Sequence, residues 1–218
     1  MKKLVMFLVF TLTLLVGTPG VYAQHIDKEQ RKAEKAFQKE VKAMRRQGWK
    51  VAPGNLSLEL QLRESYQKAA ERDENGFEKY FSGEAMSVGT NYDAALFQAS
   101  NLAKLDLAGK ILTEVTELID NKVSNKQLTQ KEAVSLTESV SSCQSKVSQK
   151  LGRVMTPLKI YRELDNGNVE VRAVIYYSHD QAIEILKQTV QEDLENKEDE
   201  LANQMDHVFN VLMSKYGE

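Results

Sequence analysis

The stretch that decides the fold is YDAALFQASNLAKLDLAGKI, residues 92–111, which places alanine at positions 95, 99 and 103. Residues four apart lie on the same face of an α-helix, so the three alanines form one stripe. Alanine costs less in a helix than any other residue, and its small side chain lets a neighbouring backbone come close. The pattern therefore predicts a helix that packs tightly against a sheet, although alanine could also be present only as a good helix former.

The predicted helix covers residues 92–121 and follows Thr90 and Asn91, whose side chains can cap it. Its buried stripe is expected to consist of Leu96, Ala99, Ala103, Leu107, Ile111, Val115 and Leu118. A strand over Tyr80–Val88 precedes this helix, and Gly83 weakens the strand pattern.

A β-hairpin is predicted around Asn166-Gly167, the clearest local signal in the chain. Asn-Gly favours a two-residue type I′ turn, which would pair Leu164 with Val169. This register places most apolar side chains on one sheet face, namely Leu158, Ile160, Leu164, Val169, Val171, Ala173 and Ile175. One buried face and one wetter face are typical of an antiparallel pair with helices on one side.

Apolar periodicity predicts four further helices, at 26–47, 56–72, 130–151 and from 179 to about 215. The third begins at a capping box, Thr129 to Glu132. The expected inward residues are Leu56, Leu60, Tyr66 and Ala70 in the second, and Val134, Val140, Cys143, Val147 and Leu151 in the third. The apolar stripe of the last helix is broken at Lys197, so that helix either bends or projects beyond the domain.

These elements predict an α+β fold, in which a small antiparallel or mixed sheet is packed by long helices. An N-terminal helical extension and a long C-terminal helix complete it. The predicted division is a signal peptide at 1–23, an N-terminal helical segment at 24–78, the α+β domain at 79–195 and a C-terminal helix extension at 196–218.

The N terminus has the layout of a secretory signal peptide. Lys2 and Lys3 precede an apolar run at 4–16, and residues 21–23 offer small side chains at the cleavage positions. The run is shorter than the roughly 20 residues that span a bilayer, so cleavage after Ala23 is favoured over an uncleaved anchor. No cysteine lies near that site, and no lipid anchor is expected. We predict an exported bacterial protein of the periplasm or outer envelope, without a transmembrane segment after cleavage.

Charge and cysteine content narrow the classes of partner. Removing Lys2 and Lys3 from the 29 basic residues leaves 27 against 31 acidic ones, a net charge of −4. A mildly acidic chain without a basic stripe argues against nucleic acid as a partner. Cys143 is the single cysteine, so no internal disulfide can form, and we expect a buried apolar side chain rather than a reactive thiol.

Residues 83–112, GEAMSVGTNYDAALFQASNLAKLDLAGKIL, and 154–177, VMTPLKIYRELDNGNVEVRAVIYY, resemble the LPP20-like group of bacterial envelope proteins. The shared features are a glycine-containing strand, an alanine-striped helix with a Leu-Ala pair, here Leu107-Ala108, and a later hairpin. The resemblance extends over about residues 80–178. It implies a small exported α+β domain, usually without known enzyme activity, and it implies no site residues. This chain differs from the lipoproteins of that group in lacking a lipidation cysteine.

Catalytic and metal-binding patterns are weak. His25, His179 and His207 are far apart, and no Cys/His pair has the spacing of metal ligands. His179 and Asp180 could touch a metal, but a solvent-exposed helix cap is the favoured interpretation. Ser65 to Lys68 matches the S-x-x-K pattern of penicillin-binding enzymes, yet no K-T-G follows. The sequence therefore predicts no catalytic residue, no metal and no cofactor.

Aromatic residues are the candidates for binding. Trp49 follows a helix end, and Tyr161 and Tyr176 share the wetter sheet face, so these three are the predicted binding surface. The alternative is that helix 26–47 or 56–72 covers that face. The preferred function is a non-catalytic envelope protein that binds a partner protein or an envelope component. The other hypotheses are a periplasmic hydrolase with an unrecognised site and a structural subunit that self-assembles into a homo-oligomer through its last helix.

Overall fold

The computed structural model describes residues 19–125, 128–194, 206 and 208–210. The chain divides into two units, Met1–Gln47 and Gly48–Glu218. The first unit contains helix α1, Pro19–Arg46. This helix begins at Pro19 rather than at residue 26, because proline lacks only an N–H that a first helical turn leaves unpaired in any case.

The second unit is an α+β fold, as predicted. Its strands are β1 (Tyr80–Gly89), β2 (Met155–Glu163) and β3 (Val169–Ser178). They form an antiparallel sheet in the order β1-β3-β2. Its helices are α2 (Leu58–Ala70), α3 (Tyr92–Ser124), α4 (Gln130–Ser142), α5 (Gln144–Lys150) and α6 (His179–Leu194).

Helix α3 lies against the sheet as closely as its alanines predict. Ala95, Ala99 and Ala103 are all completely buried. The strand takes part in this close approach, because a Cβ placed on Gly83 would lie 2.1 Å from the carbonyl oxygen of Ala103. A Cβ on Gly89 would lie 2.7 Å from the backbone nitrogen of Ala95. Small residues are therefore needed on both sides of this interface.

The start of helix α3 also follows the prediction, since the amide of Ala94 donates to the side chain of Asn91 (2.9 Å). The buried stripe differs at its two ends. Ala95 and Ile119 are fully buried, whereas the predicted Leu96 and Leu118 are half-buried.

The hairpin forms, but its register differs from the prediction by one residue. The amide of Gly167 donates to the carbonyl of Leu164, and the amide of Leu164 donates to the carbonyl of Asn168, both at 2.9 Å. The loop therefore holds three residues, 165–167, and Gly167 has a φ of +81°. Such three-residue loops combine a type I turn with a glycine in the left-handed conformation. Asn-Gly therefore suits this loop, just as it suits the two-residue type I′ turn. Glu163, rather than Leu164, pairs with Val169.

The shifted register overturns the prediction of a single apolar sheet face, because a one-residue slip moves every side chain of a strand to the other face. Val171 and Ala173 pack with the alanine stripe of α3. Leu158 and Ile160 lie on the opposite face and are also buried. Helix α2 packs against β2, as the alternative of a covering helix over 56–72 predicted.

Helix α2 turns a different face inward from the one expected. The predicted inward residues Leu56, Leu60, Tyr66 and Ala70 are all exposed. The buried residues are Leu58, Gln61, Leu62 and Ser65. Two of these are polar and face the sheet to make hydrogen bonds, including one from the amide of Lys159 to Gln61 Oε1 (2.9 Å). A count of apolar positions alone could not identify this face.

The predicted helix 130–151 is interrupted at Cys143, which separates α4 from α5. The capping box is confirmed, since the amide of Thr129 donates to Glu132 Oε2 (2.7 Å) and Thr129 Oγ1 accepts from the amide of Glu132 (3.3 Å). At the interruption, Ser142 Oγ and Cys143 Sγ both donate to the carbonyl of Ser139, in competition with the helix backbone. Val134 is exposed, contrary to prediction, and Ala133 and Leu136 are buried instead.

The described residues of the C-terminal region do not belong to one straight helix. Helix α6 ends at Leu194, and Gln191 Nε2 donates to Asp206 Oδ1 at 2.5 Å. In a continuous helix these residues would be separated by about 22 Å along the axis. Val208 and Phe209 are fully buried in the same core as Val190. The chain therefore folds back, so of the two alternatives that the sequence left open, a bend agrees with the described residues and a projection does not. Lys197, Leu201, Met205 and Leu212 lie outside them.

Candidate functional site

The outer edge of strand β1 is only partly occupied by hydrogen bonds. The amide of Glu84 donates to Asp106 Oδ2 (3.0 Å), and Lys110 Nζ donates to the carbonyl of Ser82 (2.8 Å). Asp106 and Lys110 also form an ion pair at 3.0 Å. Two side chains of α3 therefore cover the first half of this sheet edge, which a protein must protect against unwanted strand pairing.

In the second half of the edge, no residue that the structure describes is hydrogen-bonded to the outward backbone groups. Backbone directions alternate along an antiparallel strand, so the N–H and C=O of Met86 and Val88 point outward like those of Glu84. Their side chains are 55% and 45% exposed. Leu102 of α3 is 40% exposed and lies one helical turn before Asp106, which contacts this edge. We call Met86, Val88 and Leu102 the β1 edge surface.

The charges around the β1 edge surface are paired. Arg172, which lies opposite Met86, donates to Glu84 (2.6 Å). Glu170, which lies opposite Val88, accepts from Arg162 (2.5 Å). These neighbouring charges therefore compensate each other, and the edge can accept an extended apolar segment through main-chain hydrogen bonds.

The sequence contains a pattern that indicates this surface. In GEAMSVG, residues 83–89, small side chains alternate with larger ones. The small residues face α3, and Met86 and Val88 consequently face away from it. Once the position of α3 is known, the larger residues of this alternating pattern identify the strand face that α3 does not cover.

The predicted aromatic surface is not formed. Trp49 is 7% exposed, and the Arg162 guanidinium lies over its ring at 4.8 Å. Tyr176 is 4% exposed, and its hydroxyl donates to the carbonyl of Ser65 (2.9 Å). Tyr161 is half-buried on the opposite sheet face, where it meets Tyr92 edge to face at 5.2 Å. These three residues therefore serve packing in two separate places.

The S-x-x-K pattern does not form a serine–lysine pair. The Ser65 hydroxyl is buried 3.2 Å from the hydroxyl of Tyr176. Lys68 donates instead to Glu71 Oε1 (2.7 Å), and this hydrogen bond raises the pKa of Lys68 and lowers the pKa of Glu71. A lysine that acts as a general base needs a lowered pKa, so the electrostatics oppose that role.

His179 is not the solvent-exposed cap that the sequence predicts. Its side chain is 6% exposed, with Nε2 at 3.0 Å from Glu114 Oε2. Its ring stacks on Phe81 with 4.0 Å between centroids. The pair joins the start of α6 to α3. His207 and the side chain of His25 lie outside what the structure describes, and the described residues contain no cluster of His, Cys, Asp and Glu able to hold a metal ion.

Cys143 is completely buried, as predicted. Its Sγ donates to the carbonyl of Ser139 (3.2 Å), at the interruption between α4 and α5. Burial keeps the thiol from solvent, and reactive cysteines need at least partial exposure.

Two further findings bear on the class of protein. None of the helices among the described residues combines the length and apolar character needed to cross a bilayer. No protein-family model matches this chain, and neither a curated protein nor a solved structure matches it.

Proposed function

We propose that this chain is an exported, non-catalytic protein of the bacterial cell envelope, and that it binds a partner protein by strand addition at the β1 edge surface. The observation that carries the proposal is the pair of outward-facing backbone segments at Met86 and Val88, with exposed aliphatic side chains beside them. Strand addition derives affinity from main-chain hydrogen bonds and specificity from alternating side chains. The partner segment is extended, aliphatic at alternate positions and without net charge, because the charges around the edge are already paired.

The export part of the proposal rests on the sequence. Lys2 and Lys3, the apolar run at 4–16 and the small residues before Gln24 support a cleaved signal peptide. The resemblance to LPP20-like envelope proteins supports the same location.

We expect the protein purified from an envelope fraction to begin at Gln24. N-terminal sequencing or intact-mass measurement would establish this, and blocking the cleavage site with Ala23→Lys is the control. A cytoplasmic product that retains Met1 would contradict export, but it would leave partner binding open to test.

The other two hypotheses have less support. A hydrolase would need convergent polar groups, whereas Ser65 and Lys68 are engaged with Tyr176 and Glu71. A self-assembling subunit was expected to use a projecting last helix, whereas Val208 and Phe209 return to the core.

Strand addition can be tested with a substitution that removes one outward donor. Val88→Pro deletes an N–H that does not belong to the β1–β3 ladder, and proline is tolerated at such edge positions. The probe is a capped seven-residue peptide of alternating valine and threonine, with fluorescence anisotropy to measure its binding. We expect Val88→Pro to weaken binding about tenfold, in line with the loss of about one main-chain hydrogen bond. Met86→Thr, which keeps the backbone donor, should weaken it less.

The matched control is the same peptide with its edge-facing amides N-methylated, which removes donors but keeps the side chains. Binding should also slow hydrogen exchange at the amides of Met86 and Val88. Equal binding of the parent and methylated peptides would contradict strand addition. A dimer of the wild-type chain that Val88→Pro abolishes, without peptide binding, would assign the edge to a second copy instead.

A further inference from the structure

We propose that a groove between α3 and the α4–α5 junction binds a primary ammonium group. This inference goes beyond the proposed function and does not depend on it, because the groove is separate from the β1 edge surface. The groove has a volume of about 350 Å³, and its lining includes Gly109, Thr113, Thr116, Glu117 and Gln144. That volume falls within the range of small-molecule sites, roughly 300–1,000 Å³.

The threonine hydroxyls of the groove have already used their protons. Thr113 Oγ1 donates to the carbonyl of Gly109 (2.9 Å), and Thr116 Oγ1 donates to the carbonyl of Leu112 (3.0 Å). A hydroxyl has one proton and two lone pairs. With the proton committed to the helix backbone, each threonine offers a ligand only acceptor lone pairs.

Gln144, like the two threonines, has an acceptor oxygen available. One N–H of its Nε2 donates to the carbonyl of Leu105 (3.1 Å), and its side-chain oxygen Oε1 remains available as an acceptor. Gly109 makes this possible, because a Cβ at that position would lie 3.0 Å from Gln144 Nε2. Glycine within a helix is less favourable than alanine, and this contact is a physical reason for it here.

The remaining charge in the groove is negative. Glu117 is acceptor-only when ionised, and none of the described lining residues is cationic. A site of hydroxyl, amide and carboxylate oxygens is complementary to a group that only donates and is positively charged. The –NH₃⁺ group, with three donors and no acceptor, fits this description.

An ammonium group can come from an alkylamine, such as a lysine side chain or polyamine, or from an amino sugar. The test therefore has two arms, each with a neutral partner of similar size. The first compares n-pentylamine with 1-pentanol, and the second compares glucosamine with N-acetylglucosamine. Binding is followed by chemical-shift changes of the Gly109 and Gln144 backbone amides in the full chain at neutral pH.

We expect binding of at least one amine and no comparable binding of its neutral partner. Glu117→Gln should weaken amine binding about five- to tenfold, a moderate effect because the carboxylate is exposed to solvent. Glu138→Gln, an equal charge change on the exposed surface of α4 outside the groove lining, is the matched control and should leave binding unchanged.

Each outcome either identifies the source of the ammonium group or contradicts the proposal. Binding only in the first arm identifies an alkylamine, binding only in the second identifies an amino sugar, and binding in both shows that the ammonium group alone is recognised. Equal binding of amines and neutral partners would overturn the proposal, as would no shift with either amine at 20-fold excess over roughly millimolar protein. None of these results affects strand addition at β1, which Val88→Pro tests separately.

Discussion

Gly83→Ala is expected to lower the free energy of unfolding by about 3 kcal/mol, the upper part of the range for overpacking a core. The added Cβ would stand 2.1 Å from the carbonyl oxygen of Ala103 and 2.8 Å from the Cβ of Leu107. The nearest obstacle is backbone within the long helix α3, so it cannot move aside as the end of a flexible side chain can. Urea denaturation followed by circular dichroism would measure the change.

Gly152→Ala is the matched control for this substitution. Gly152 is exposed, and a Cβ there would meet no atom within 4 Å. We expect a change within about 0.5 kcal/mol. If Gly83→Ala were as mild as Gly152→Ala, helix α3 would not lie on β1 as described, and the meaning assigned to the alanine stripe would be wrong.

Phe209→Ala is expected to cost about 3–4 kcal/mol, because it leaves a cavity the size of a benzene ring in the core. Phe209 is completely buried with Val190 and Leu186 of α6. The effect depends on the chain reversal that the Gln191–Asp206 hydrogen bond records. A projecting helix would leave this ring largely in solvent, where its loss would cost little.

Phe97→Ala provides a control with identical chemistry. Phe97 lies on α3 and is 73% exposed, so its truncation should change stability by about 0.5 kcal/mol or less. Similar effects of the two substitutions would contradict the return of the C-terminal region to the core. They would also restore the overhanging helix as a candidate surface for self-assembly.

The two proposed binding regions use different properties of one helix. Toward β1, α3 presents Asp106 and Lys110, which cover part of the strand edge, and it leaves Met86 and Val88 open. Toward α5, the same helix presents Thr113, Thr116 and Glu117, whose side-chain oxygens can accept hydrogen bonds from a ligand. Because the buried apolar stripe of α3 holds this helix in place, it positions both the β1 edge surface and the groove.

Local patterns in the sequence determined the elements of this protein and the tightest contact between them. The alanines of α3, the Thr129–Glu132 capping box and Asn166-Gly167 act within a few residues of themselves. The helix, its cap and the presence of a hairpin could therefore be predicted without knowledge of the rest of the chain, although the register of the hairpin could not. The α+β class followed from the order of these elements.

The tertiary structure alone decided which faces and surfaces are available. The hairpin register depended on a three-residue loop, and that one-residue difference moved Leu158 and Ile160 to the opposite sheet face. Gln61 and Ser65 are buried because the sheet supplies their hydrogen-bond partners, and Phe209 is buried because the chain reverses after α6. The last three outcomes depend on groups distant in sequence, and the free energy of burying a side chain depends on what lies opposite it.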